Sequence, residues 1–284
     1  MLIPGHSSAD IQILYANDLT FLRKIARNDN KDRLLLQAKK QEQFLAFERI
    51  SAPKIFRVFK DGNDTIIDME YVRATDFVTF TASANFDEFL ETVKSLVNMI
   101  RLEFEESSLQ RFPLEVWSQK VSDVFEESKK RHLLDEYEVS RIVKFLNEDL
   151  PSDILMGRCH GDMTFSNVLV RDDKTLCIFD FLNPPIETPY EDVAKFLQDV
   201  RFFWSLNKFT GQCDKTRVKI YWERAEKIAI NDLKDYIDFR VLKKFQILGL
   251  FRILPYTSDQ KIVQYIMKCM SQEVEIASNI ALWR

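Results

Sequence analysis

Two turn signatures in the first seventy residues commit the amino-terminal part of the chain to antiparallel hairpins. Ala16-Asn17-Asp18 separates strand-like runs at 10–15 and 19–25, and Asp61-Gly62-Asn63 separates runs at 55–59 and 65–71. Asn, Asp and Gly accept the left-handed backbone that tight turns require, so each pair of runs folds back on itself. Between the hairpins, residues 32–50 place Leu34, Leu35, Ala38, Phe44, Leu45 and Phe47 at roughly helical spacing, and Pro53 marks the stop. Beyond Tyr71 the period changes. Apolar residues at 86, 89, 90, 93, 96, 97 and 100 make one amphipathic helix, and further helical patterns fall at 116–125, 137–146, 192–206, 217–230, 233–254 and 261–280. The helices are interrupted at 155–180, where short β-like runs at 167–170 and 176–179 flank the turn Arg171-Asp172-Asp173-Lys174. The pattern predicts an α+β protein. A small antiparallel β lobe with one helix, residues 1–72, precedes a large, mainly helical lobe, residues 73–284, with a link near 71–76.

Composition narrows the function. A hydrophobic share of 46% and a charged share of 30% suit a globular core, and the net charge of −4 is near neutral for 284 residues. No Lys/Arg-rich stripe suggests a nucleic-acid partner. The most apolar stretch, 247–254, contains Arg252 and is far too short for a membrane span. The first ten residues lack the charged-then-apolar order of a signal peptide. The four cysteines form no C-x-x-C pair, which points to free thiols and a cytoplasmic setting.

The segment that carries chemistry is Cys159-His160-Gly161-Asp162-Met163-Thr164-Phe165-Ser166-Asn167-Val168-Leu169-Val170, followed by Cys177-Ile178-Phe179-Asp180-Phe181. Phosphoryl transfer needs a carboxylate to take the proton of the attacking hydroxyl, oxygen ligands for magnesium on the phosphates, and a cation to orient them. Asp162 lies in a turn, where its side chain can project. A hairpin joining 167–170 to 176–179 brings Asn167 and Asp180 together at one end. An amide oxygen beside a carboxylate is a hard, oxygen-only site suited to Mg²⁺.

The order H-G-D-x4-N, then two apolar residues and Asp, resembles the aminoglycoside phosphotransferase and choline kinase superfamily, a branch of the two-lobed protein-kinase-like fold. The resemblance implies an ATP- and Mg²⁺-dependent kinase with Asp162 as catalytic base and Asn167 and Asp180 as metal ligands. His160 is its structural support. Asp192, in Pro189-Tyr190-Glu191-Asp192-Val193-Ala194, matches the residue that caps a helix and braces the catalytic loop. Upstream, Phe21-Leu22-Arg23-Lys24-Ile25 fits the strand bearing the phosphate-binding lysine, Lys24. Glu42 fits its helix partner, with Glu48 as the fallback. Asp68-Met69-Glu70-Tyr71-Val72 resembles the adenine-binding connection, with Met69 lining the pocket and the Glu70 carbonyl and Val72 N–H meeting the base. The departure is the phosphate loop: only six glycines serve the whole chain, and Gly5-His6-Ser7-Ser8-Ala9, with Ser7 and Ser8 as contacts, stands where the family has a small-residue loop.

The implied acceptor is a small hydroxyl compound: a choline- or ethanolamine-like amino-alcohol, an amino acid or a sugar. Aromatic residues after Phe181 suit an ammonium group, and a slight Lys/Arg excess there argues against polycationic aminoglycosides. Two alternatives remain open: a nucleotide-binding regulator of weak activity, favoured by the poor phosphate loop, and a protein kinase, disfavoured by the short segment after Asp180.

Overall fold

The computed structural model describes residues 2–3, 9–16, 19–27 and 30–281. They divide into two compact units that interleave along the chain. One comprises Met1–Leu96, Phe165–Asn183 and Gly211–Asp214, and the other Val97–Thr164, Pro184–Thr210 and Lys215–Arg284.

The first unit is built on a five-stranded antiparallel sheet. Its strands are β1 (Leu2–Ile3), β2 (Asp10–Ala16), β3 (Leu19–Ala26), β5 (Ile55–Asp61) and β6 (Asp64–Glu70), ordered β1-β2-β3-β6-β5. Both predicted hairpins form, β2 with β3 and β5 with β6. Helix α1 (Lys31–Gln43) buries Leu34 and Ala38 against Ala26, Ile67 and Met69 of the sheet. This helix is shorter than the predicted 32–50. Its chain turns extended at Phe44, and Phe47 bridges back to Ile50 in a turn that holds Glu48 at φ 40°.

A second sheet in the same unit explains why the unit reaches beyond the expected link. Strands β10 (Val168–Val170) and β11 (Leu176–Ile178) form the predicted ribbon. Its two edges are covered by β7 (Thr75–Asp76), antiparallel to β10, and β4 (Ile50–Ser51), parallel to β11. After β7 comes a short helix not predicted from sequence, α2 (Phe77–Ser83), capped by Asp76, whose carboxylate accepts from the Thr79 N–H. Its β-branched and aromatic residues disguise it as a strand. Phe77 is fully buried and stacks on Phe165 with ring centroids 4.2 Å apart. Helix α3 (Phe86–Glu105) follows.

The second unit is helical: α4 (Leu114–Arg131), α5 (Glu136–Asn147), α6 (Pro189–Phe202), α7 (Trp204–Lys208), α8 (Lys215–Leu233), α9 (Phe239–Phe251) and α10 (Gln260–Ala281). One short ribbon, β8 (Ser108–Arg111) with β9 (Asp153–Met156), joins them. The helix predicted at 192–206 is broken. Phe203 adopts φ 54°, and the Asp199 carboxylate accepts from Ser205 N and Oγ, restarting the chain as α7. The pattern predicted at 233–254 belongs to two helices, because Asp238 caps α9 by accepting from the N–H groups of Arg240 and Val241.

Helix α6 is the axis of this unit, buried at nearly every position. Tyr190 stacks on Phe245 of α9 at 5.7 Å, and Trp117 of α4 meets the same ring at 5.0 Å. Charge also ties the helices together. Arg201 of α6 bonds Glu226 of α8 and Glu273 of α10, and Lys243 of α9 pairs with the same Glu273. All four cysteines are free thiols. Among the described residues, no helix is long and apolar enough to cross a membrane.

Candidate active site

In the first unit, strand alternation decides which cation faces inward. Arg23 pairs with the buried Asp68 at 2.6 Å on one face of β3, and Arg57 reaches the same carboxylate at 2.6 Å. Burial works to raise the pKa of Asp68, but these two guanidinium groups overcome it and hold the carboxyl below its usual range. Lys24, on the opposite face, stands across from Ile67 and is buried. Its ammonium donates to Oδ1 of Asp180.

Asp180 lies two residues past β11 at φ 65°, a left-handed conformation that Asp tolerates better than most side chains. That twist takes it off the line of the strand. Asn167 closes a 3-10 turn, Phe165–Asn167, directly before β10, and its carbonyl accepts from the Phe179 N–H at 3.1 Å. The ribbon therefore sets Asn167 and Asp180 at the same end. Among the described residues no three His, Cys, Asp or Glu side chains gather as a cation cage. One carboxylate and one amide oxygen still fit Mg²⁺, an ion that keeps waters and draws further oxygens from phosphates.

The expected Lys24–Glu42 pair is not made. Glu42 is exposed, and the buried face of α1 presents Leu34, Ala38 and Gln41 instead. Gln41 donates to the Pro53 carbonyl at 2.7 Å, which leaves its neighbour Glu42 turned about a third of a turn away, toward solvent. The fallback, Glu48, is exposed as well. Met69 packs in the core beneath α1, and Glu70 ends β6 with its carboxylate 3.1 Å from Arg171. Val72 follows in the irregular segment after the strand. Ser7 and Ser8 lie outside the described residues.

In the second unit, a turn is pinned at its backbone. The Asp192 carboxylate accepts from the N–H groups of His160 and Gly161, the latter at 2.7 Å. Asp192 is completely buried and sits in the first turn of α6, but it does not cap that helix. The cap is Thr188, whose hydroxyl accepts from the Tyr190 N–H. Gly161 has φ 87°, where a side chain would be strained, so the turn requires glycine. His160 is buried, and its Nδ1 accepts from the Asp162 N–H at 3.2 Å.

These bonds orient Asp162, whose side chain is 25% exposed. Its Oδ1 lies 3.1 Å from Nζ of Lys195, one turn along α6 from Asp192. Burial favours the protonated acid, but Lys195, helped by the charges of His160 and Arg252, outweighs it and holds Asp162 below the usual carboxylate range. Sequence reasoning missed Lys195. The signal was present: spacing of three places Asp192 and Lys195 on one face of a helix, so a brace at the first implies a neighbour at the second.

Comparisons with known proteins bear on the fold and the family. No curated protein sequence matches the chain. Among solved structures, aminoglycoside phosphotransferase APH(4)-Ia in a ternary complex with AMP-PNP and hygromycin B superposes with a TM-score of 0.63 at 10% identity, over 98% of this chain and 92% of that one. An aminoglycoside-3'-phosphotransferase of type VIII gives 0.55 at 17% identity, over 88% and 93%. A Haemophilus somnus 129PT protein provisionally described as a fructosamine-3-kinase gives 0.59 at 10%, over 98% and 90%. The shared fold is the two-lobed α+β fold of these kinases. The model of the phosphotransferase enzyme family matches residues 3–224, well over half of the sequence, and the chain belongs to that family.

Proposed function

We propose that this phosphotransferase moves the γ-phosphoryl group of ATP, as its magnesium complex, to a hydroxyl of a small metabolite. The observation that carries the reading is the pinned turn at 160–162. A carboxylate is held in one orientation by two backbone contacts to Asp192 and kept ionised by Lys195. That is how a proton acceptor for an alcohol is made ready.

In this mechanism Asp162 accepts the proton of the acceptor hydroxyl. The acceptor oxygen bonds to the γ-phosphorus while the bond to the β-phosphate oxygen breaks, and ADP leaves with that electron pair. A loose transition state releases the proton late, so a carboxylate of low basicity serves mainly to orient the hydroxyl. Asn167 and Asp180 offer oxygens for the magnesium ion, which when bound neutralises charge on the β- and γ-phosphates. Lys24 trades its contact with Asp180 for the phosphates. Met69, the Glu70 carbonyl and the Val72 N–H hold adenine, and Ser7 and Ser8 approach the phosphates. Residues 1–72 bind nucleotide and 73–284 supply the base and the acceptor site.

The test is ATP consumption against a panel of small alcohols, with Asp162→Asn as the control. Acceptor-dependent ADP release that the variant lacks supports the reading. Phosphorylation of protein Ser, Thr or Tyr alone, with no alcohol accepted, overturns it.

A further inference from the structure

The carboxyl-terminal turn of α1 grips the segment that follows β11, and both belong to the first unit. Glu42 faces solvent, but its neighbours reach inward. Nζ of Lys40 donates to the Leu182 carbonyl at 2.8 Å. The half-buried Phe44 ring lies 5.3 Å from the ring of Phe181, which is buried. A spacing of four brings Lys40 and Phe44 to one side of the turn, and both address residues 181–182. Gln41, between them, ties the same turn to the Pro53 carbonyl.

The gripped segment begins with Asp180, the proposed magnesium ligand. Residues 179–183 lie in no strand or helix, so no ladder of backbone bonds fixes them. Asp180 also has φ 65°, a region that side-chain-bearing residues enter rarely and keep only where their surroundings over-determine the chain. Two attachments bracket it. Before Asp180, the Phe179 N–H donates to the Asn167 carbonyl at 3.1 Å. After it, Phe181 and Leu182 are held by Phe44 and Lys40. Helix α1 is itself fixed by Leu34 and Ala38, packed on Ala26 of β3 and on Ile67 and Met69 of β6. Strand β3 also carries Lys24, whose ammonium pairs with the Asp180 carboxylate. Once Lys24 turns to the phosphates, that side-chain bond is gone, and the position of Asp180 rests on the two attachments of its backbone.

Resting on the phosphotransfer reading above, we propose that Lys40 is a positioning residue for the metal ligand: with Phe44, it holds residues 180–182 so that the Asp180 carboxylate stays at the Asn167 end of the ribbon after Lys24 has left it. Helix α1 thus serves the site through its grip on the metal-bearing segment and not through a glutamate on Lys24.

The experiment measures Kd for AMP-PNP on the full chain by calorimetry, once with EDTA and once with saturating Mg²⁺. The ratio of the two values is the factor by which the metal tightens binding. Loss of a partner that orients a metal ligand typically costs 10–100-fold in metal affinity, so in Lys40→Met the factor should fall about tenfold or more. Kd in EDTA should not weaken, whereas a general loosening of α1 and the sheet beneath it would weaken that value too. Lys40→Arg keeps a donor and should recover most of the factor. Phe44→Leu should act in the same direction as Lys40→Met, and it serves as the test if thermal unfolding shows that Lys40→Met does not fold. An unchanged factor, or an equal loss with and without Mg²⁺, overturns the inference and leaves the kinase reading standing. A factor that survives in Asp180→Asn removes Asp180 from the metal site, and overturns both the magnesium assignment and this inference.

Discussion

Nζ of Lys195 lies 3.1 Å from Oδ1 of Asp162, and both side chains are held by the same helix: Lys195 belongs to α6, and Asp192 in the first turn of α6 grips the backbone on either side of the His160–Gly161 bond. One helix therefore sets both the position and the charge state of the proposed base. Because Asp162 is held below the usual carboxylate range, it stays ionised through mildly acid pH. Removing Lys195 leaves burial as the leading influence, and burial favours the protonated form. Lys195→Met should shift the acid limb of the kcat profile to higher pH. A profile whose acid limb does not move would show that Lys195 is only a packing residue.

The sign of the same interaction extends to stability. A carboxyl whose folded-state pKa is depressed stabilises the fold above its unfolded pKa, and that contribution is lost as pH falls through the folded pKa. Acid unfolding of the wild type should therefore include a contribution from Asp162 that Lys195→Met lacks. Urea midpoints measured from neutral pH downward should converge for the two proteins at the acid end.

Asp162→Asn should retain the fold, since the amide keeps the shape and the backbone bonds to Asp192 are untouched. Loss of a general base typically costs ~10²–10⁴-fold in rate. Nucleotide binding, measured by calorimetry with Mg-ATP, should persist. Near-wild-type turnover with the best acceptor would remove Asp162 from the role.

Much of the architecture was legible because it rests on local rules. The turn signatures at 16–18 and 61–63 are readable from their residues alone, and the ribbon at 168–178 shows as two short apolar runs around the polar turn at 171–174. What escaped depends on contacts distant in sequence. Helix α2 has strand-like composition, and its first residue, Phe77, is buried against Phe165, far along the chain. The pairing of Lys24 with Asp180 joins residues far apart in the chain, whereas the expected partner Glu42 sits on a face of α1 that spacing alone could not assign: Gln41, one residue earlier, holds the buried position. Lys195 was overlooked because an isolated lysine in a helix is ordinarily solvated.

Glu42→Ala should leave KM for ATP nearly unchanged, as exposed substitutions usually cost no more than about 0.5 kcal/mol. Lys24→Met should raise KM for ATP sharply. Asp180→Asn should abolish the dependence of nucleotide binding on Mg²⁺, which Lys24→Met should preserve in weakened form. A strong loss in Glu42→Ala would mean that the glutamate turns inward once nucleotide is bound.

The family match ends at residue 224. Helices α9 and α10 follow that limit, yet Glu273 of α10 bonds both Arg201 of α6 and Lys243 of α9. Glu273 is almost fully buried, and Lys243 is nearly so. Burial and the neighbouring Arg201 charge both work to discharge Lys243, and Glu273 opposes them. Glu273→Gln leaves two cations facing each other with only Glu226 nearby, and removing one partner of a buried ion pair typically costs about 3–5 kcal/mol. Glu273→Gln, Lys243→Met removes the repelled lysine with its partner and should recover much of that loss. Urea unfolding of the two variants measures the difference. If the single variant is as stable as wild type, the network contributes nothing to holding α10 on α6, and the carboxyl-terminal helices are retained by their apolar contacts alone.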